Sequence, residues 1–260
     1  MKEKLKKLGR FILTQLKKIA LAIPVAVLMN ALYVQCTKIG SELMLETSGV
    51  KWYVSDAGAT KDDIQAISDI VNKTLSEKGI DPSDFDVNLI LCNSTNEFLW
   101  KALVWDANHQ GVTRYLFDHI VINKSLIKEN RMDGFENSSL SDVVIHELCH
   151  IYLSKRLSKW KEYFMESWKN EGFCEYIADH STIGVDNGLS LFLANDKSEI
   201  EKTDHIKTLY FYFTSRLKTD YLLGHKNIQF EEFVKTEYDE VALEKEIRSA
   251  IMNGEYEYMP

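Results

Sequence analysis

The chain has 260 residues, 45% of them apolar and 27% charged, with 12 Phe and 12 Tyr, a composition that buries a sizeable core and excludes intrinsic disorder. Three Pro, 12 Gly and no segment repeating at a solenoid period exclude collagen-like, Pro-rich and repeat architectures. The formal charge of −8 is unevenly spread. Residues 1–18 hold Lys2, Lys4, Lys6, Lys7, Arg10, Lys17 and Lys18 against Glu3, a local +6 that leaves −14 on the remainder and argues against a nucleic-acid-binding body.

Directly after this leader comes the run IALAIPVAVLMNALYV over residues 19–34, without a charge and interrupted only by Pro24 and Asn30. At about 1.5 Å per residue it reaches roughly 24 Å, enough to span a membrane with snorkelling of Lys17, Lys18 and Lys38. The basic flank belongs on the cytoplasmic side. Residues 1–40 are therefore predicted to be a basic leader plus a single-pass anchor, with the rest of the chain extracytoplasmic. A cleaved signal peptide with secretion is the alternative, although Met29-Asn30-Ala31 and Val34-Gln35-Cys36 are poor cleavage sites. A buried core helix is a third reading. Leu5, Leu8, Ile12 and Leu16 recur at helical spacing, which suits a leader lying on the membrane surface. Cys36, Cys92, Cys149 and Cys174 show no paired spacing, so no disulfide framework is implied.

Residues 41–50 read as a linker, and a folded domain is expected over 45–260. Val50–Val54 is rich in strand formers, and residues 62–76 carry Ile64, Ile67, Ile70, Val71 and Leu75 at helical spacing. Strands are predicted at 87–91, 113–117 and 119–123, a helix at 96–105, and helices throughout after Ser139. Strands first and helices afterwards suggest an α+β domain rather than alternating βαβ units.

The chemistry is concentrated in SLSDVVIHELCHIYL, residues 139–153, which contains H-E-x-x-H. Ser139 followed by Asp142 has the form of a capping box, and Leu140, Val144, Leu148 and Ile151 make one apolar helix face. His146 and His150 lie on another face, i and i+4, where two imidazoles converge on one metal ion. Glu147 is angularly offset, placed to reach a metal-bound water. Two solvated histidines on a helix surface are the plain alternative. A second helical segment, WKNEGFCEYI over 168–177, offers Glu171 as a third ligand, and two His plus one Glu leave a position open for water.

H-E-x-x-H followed by W-x-N-E-G-F resembles the gluzincin zinc metallopeptidases of the thermolysin type, most closely the aminopeptidase N branch. Twenty residues separate His150 from Glu171, two more than in that branch, and no G-x-M-E-N motif is present. The resemblance covers residues 139–178 and does not carry aminopeptidase specificity. A compact gluzincin of the peptidase MA-like type suits the whole chain. It implies a zincin-like α+β domain, Zn²⁺ held by His146, His150 and Glu171, Glu147 as general base on the zinc-bound water, and a peptide or protein substrate. It also implies a Tyr or His that hydrogen-bonds the oxyanion: Tyr210 is the candidate, with Tyr212 and Tyr221 competing on the same segment. Glu175 stands where the thermolysin-like pattern has an acid orienting a ligating His, although a solvated helix carboxylate fits the position equally. The strand at 119–123 stands where zincins carry the edge strand that pairs with substrate, and could equally be internal. Gly172 permits close approach of the two site helices, while Cys149 and Cys174 read as small core residues rather than ligands. A zincin module that has lost turnover and binds a partner protein is the alternative function. A leader whose membrane or nucleic-acid binding is the main function is a further one.

Overall fold

The computed structural model describes residues 24–25, 28–29, 31–114, 117–135, 138–158, 161–162, 164–179, 183–195 and 197–258. Two compact units result, 1–40 and 41–260. In the first, residues 31–37 are helical and the Thr37 hydroxyl donates to the Val34 carbonyl. Among the described residues no helix is long and apolar enough to cross a membrane. This corrects the expected single-pass anchor, and the extracytoplasmic placement that depended on it falls with it. The basic leader and residues 19–23, 26–27 and 30 of the apolar run lie outside the described residues.

The second unit begins with a strand, not a linker. β1 (Glu42–Thr47) pairs antiparallel with β2 (Val50–Val54) across the Ser48-Gly49 turn. A bulge between Leu43 and Leu45 breaks the alternation that would have announced it, leaving Leu45 buried and Leu43 exposed. The sheet continues with β3 (Val87–Leu91), β4 (Gly111–Arg114) and β5 (His119–Ile122) in the spatial order β1-β2-β3-β5-β4. Helix α1 (Lys61–Glu77) connects β2 to β3, and helix α2 (Thr95–Ala102) follows β3. The β2–β3 and β3–β5 pairs are parallel, whereas β4 runs antiparallel to β5. The first half therefore contains the βαβ crossover that strand counting argued against. A short hairpin, β6 (Ser125–Leu126) and β7 (Arg131–Met132), leads out of the sheet.

Side-chain alternation explains the layering. Leu89, Leu91, Ile120 and Ile122 join the main core with α1, while Ile90 and Val121 point to the opposite face, against Phe98 and Ala102 of α2. Each of these strand residues is fully buried, which is why the two segments read as continuous apolar runs.

Beyond Ser139 the elements among the described residues are helical. They are α3 (Leu140–Leu157), α4 (Ser167–Ala178), α5 (Val185–Ala194), α6 (Lys197–Ile200), α7 (Asp204–Thr219), a π-helical turn at Asp220–His225, α8 (Phe230–Lys235) and α9 (Glu240–Met252). α3 packs against β4 and β5 on one side and α4 on the other, and α4 packs in turn along α7. The architecture is a mixed α+β domain with a small mixed sheet, and α3 is the element shared by its sheet half and its helical half.

Candidate metal centre and active site

α3 starts where the sequence says it should, with the Ser139 hydroxyl accepting the backbone N–H of Asp142. Its burial goes further than one apolar stripe: His146, Glu147 and His150 are buried along with Leu140, Val144, Leu148 and Ile151. A solvated histidine pair is thereby excluded. The two imidazoles meet edge to face, ring centroids 5.0 Å apart, and both turn toward α4.

From α4, Glu171 places Oε2 3.2 Å from Nε2 of His146 and 3.7 Å from Nε2 of His150. These separations bracket the edge of roughly 3.4 Å of a tetrahedron with metal–ligand bonds of about 2.1 Å. The far sides of the rings are also engaged. Nδ1 of His150 lies 3.0 Å from Oδ1 of Asn170, whose amide nitrogen donates to Glu162 at 2.8 Å. Nδ1 of His146 lies 3.0 Å from Oε1 of Glu175, close enough for an ion pair but without the alignment of a straight hydrogen bond. Carboxylate or amide oxygens at Nδ1 with Nε2 turned to a common point is the arrangement that presents imidazole lone pairs to a metal. Burial opposes charge on His146, but Glu171 and Glu175 outweigh it and hold the imidazole pKa well above its usual value. Burial would raise the Glu171 carboxyl, and the neighbouring His150 and His146 lower it below the carboxylate norm. Two carboxylates around one imidazole are a charge pattern that a divalent cation completes.

A second grouping overlaps this one. His146, His150 and Cys174 have potential ligand atoms within 4.8 Å of one another. Cys174 Sγ sits 3.4 Å from Nδ1 of His150, the ring edge that Asn170 already faces, and not beside the Nε2 atoms that share Glu171. Burial, and then Cys149, push its thiol far above the range in which a thiolate forms unaided. Cys149 and Cys174 are both fully buried within the main apolar core. The grouping that brings two Nε2 atoms and a carboxylate oxygen together on one side is His146, His150 and Glu171.

Glu147 turns the other way, toward the sheet. Its Oε2 accepts the Thr113 hydroxyl of β4 at 2.5 Å, and Oε1 lies against Gly111, where a Cβ would come within 2.7 Å of it. β4 is one of the sheet's two edge strands, with β1 at the other; β5, for which the sequence left a zincin-type edge and an internal place equally open, is internal between β3 and β4. A cavity of about 270 Å³ opens over the site, lined by His146, Glu147, Glu175 and Tyr212 together with Gly111 and Phe135.

Tyr212 replaces Tyr210 as the phenol at this cavity. Its ring centroid is 6.3 Å from that of His146, and burial together with Glu171, Glu175 and Glu147 pushes its pKa far up, so it stays a hydrogen-bond donor. Tyr210, two residues earlier and about 200° around the helix, packs half-buried against the core among Glu244 and Arg248 of α9. Tyr221 donates to Glu246 and stacks on His225. Gly172 also has a different neighbour from the one expected: a Cβ there would come within 2.3 Å of the Ser215 carbonyl on α7. Asn170, Glu162 and Thr113 were not singled out by sequence. Asn170 precedes Glu171 within the motif that was read, whereas Thr113 and Glu162 give no local signal.

No protein-family model matches the chain, and no curated protein matches it.

Proposed function

We propose that the chain is a zinc-dependent peptidase of zincin type, cleaving peptide bonds in a peptide or protein substrate. The observation that carries this is the approach of one Glu171 oxygen to both Nε2 atoms of an H-E-x-x-H helix, with Glu147 turned into the adjoining cavity. His146, His150 and Glu171 would hold Zn²⁺, which supplies Lewis acidity at a scissile carbonyl and lowers the pKa of water toward about 7.

The protein's own groups have separable tasks. Glu147, tethered by Thr113, takes a proton from attacking water and returns it to the leaving amine. Tyr212, protonated and beside His146, donates to the developing oxyanion. The antiparallel edge strand β4 offers extended substrate an unpaired backbone edge beside the general base. The antiparallel edge over the H-E-x-x-H helix also favours a zincin-like fold for residues 41–260.

The test is cleavage of a mixed peptide library by the full chain, with and without chelator, beside Glu147→Gln. Metal-dependent cleavage that disappears in a zinc-retaining Gln variant is expected. Equal cleavage by the variant would remove Glu147 from the chemistry. No cleavage by a zinc-loaded parent would favour the non-hydrolytic binding module.

A further inference from the structure

We propose that Glu162 is a positioning residue that decides which ring nitrogen of His150 carries the hydrogen, acting through Asn170. Glu162 lies in the connection between α3 and α4 and is 1% exposed. Its Oε1 accepts from Asn170 Nδ2 at 2.8 Å and stands 3.9 Å from Nδ1 of His150, too far for a direct hydrogen bond, while Oε2 has no hydrogen-bond partner among the described residues. An unpaired buried carboxylate oxygen costs stability. A side chain chosen only to fill this space would be apolar or an amide.

The directionality of the contacts gives the carboxylate its role. A carboxylate oxygen without a proton only accepts, so Nδ2 of Asn170 faces Glu162 and Oδ1 faces Nδ1 of His150 at 3.0 Å. Oδ1 in turn only accepts. Nδ1 therefore bears the hydrogen: its 3.0 Å contact to an acceptor is a hydrogen bond, whereas the Glu171 oxygen stands 3.7 Å from Nε2, beyond hydrogen-bond distance. The same pocket holds the rival arrangement. Cys174 Sγ is 3.4 Å from Nδ1 and can donate its S–H there. With Glu162 gone, the Asn170 amide is free to turn and present Nδ2 as a second donor. Both donors favour a lone pair on Nδ1 and move the hydrogen to Nε2, the atom that faces Glu171. Glu162 excludes that tautomer by locking one amide.

The tautomer stands apart from any metal; its effect on zinc affinity rests on the proposed function. The experiment uses the full chain, metal-free, at alkaline pH, with ¹⁵N-labelled histidine. Ring-nitrogen NMR then reads the tautomer of His150, whose signals are assigned by their loss in His150→Gln. The parent is expected to show the Nδ1–H form. Glu162→Leu, checked for folding, is expected to shift His150 toward Nε2–H, and Glu162→Leu combined with Asn170→Asp to restore Nδ1–H, since an aspartate can only accept. Zinc affinity is expected to fall about 10- to 100-fold in the Leu variant and to recover in the double variant. Nε2–H in the parent, or unchanged Nδ1–H in folded Glu162→Leu, would overturn the assignment. Nδ1–H in a parent that binds no zinc would remove the metal reading and leave the tautomer control standing.

Discussion

The Thr113 hydroxyl on β4 donates to Oε2 of Glu147 on α3 at 2.5 Å, and Gly111, two residues before it, leaves room for Oε1. One edge strand thus fixes both oxygens of the general base. A hydrogen bond to a charged group contributes about 1.5–3 kcal/mol. Thr113→Val is therefore expected to lower kcat on a cleaved peptide roughly 10- to 100-fold, with zinc content and KM little changed. Thr113→Ser, which keeps the hydroxyl, is expected to recover most of the rate. A Val variant with parental kcat would show that the base needs no such tether.

Two tyrosines on one helix provide a paired test. Tyr212 faces the cavity and Tyr210 faces α9. Tyr212→Phe removes the oxyanion donor and is expected to cost about 10² to 10³ in kcat with zinc retained. Tyr210→Phe is expected to leave kcat alone and change stability by no more than about 1 kcal/mol. The reverse pattern in steady-state kinetics would restore Tyr210 to the site.

Gly172 is expected to resist replacement by Ala. Helix propensity favours Ala over Gly by about 1 kcal/mol. Here, however, the added carbon would meet the Ser215 carbonyl at 2.3 Å and Thr219 Oγ1 at 2.5 Å, so α4 and α7 must part. A net destabilisation of about 1–3 kcal/mol is expected in urea unfolding. An Ala variant as stable as the parent would mean that the two helices are not so closely packed.

The ion pair of buried Lys101 with partly buried Glu97, 2.5 Å apart, sets an acid limit on stability. Burial would raise the Glu97 carboxyl, but Lys101, Ser55 and the Asn93 N–H hold it below its ordinary value of 4.5. Its folded pKa is the lower of the two, so its stabilising contribution is complete above the unfolded value and is lost as pH falls through the folded one. Glu97→Gln is expected to destabilise at neutral pH, by leaving Lys101 buried without its charge partner, and to flatten the decline below about pH 4.5. Parallel acid profiles for parent and variant would contradict this.

Much of the fold is legible where one physical signal dominates. The apolar runs at 87–91 and 119–122 are strands because both faces are buried, and the spacing of Ile64, Ile67, Val71 and Leu75 is the buried face of α1. β1 escaped because its bulge spoils the alternation and its acids, Glu42 and Glu46, point outward. The parallel pairings depend on which strands neighbour each other, a tertiary property. In the site, His146 and His150 are readable because i, i+4 spacing on one helix pairs them, whereas Glu171, on a separate helix, is readable only through the motif of that second segment. Tyr210 and Tyr212 differ only in which side of α7 meets α4, and local sequence does not encode that. Thr113 and Glu162 act across 34 and 8 residues of chain, beyond any spacing rule. The apolar run near the N-terminus looked like a membrane span by composition, yet no helix among the described residues has that length and character.

The most direct measurement is the zinc stoichiometry of the full chain beside Glu171→Ala, because the shared approach of Glu171 to both Nε2 atoms carries the functional reading. One zinc per chain in the parent, with loss or at least tenfold weakening in the folded variant, is the expected result. A folded parent without zinc, or a variant that binds it as tightly as the parent, would contradict the two-histidine, one-glutamate centre.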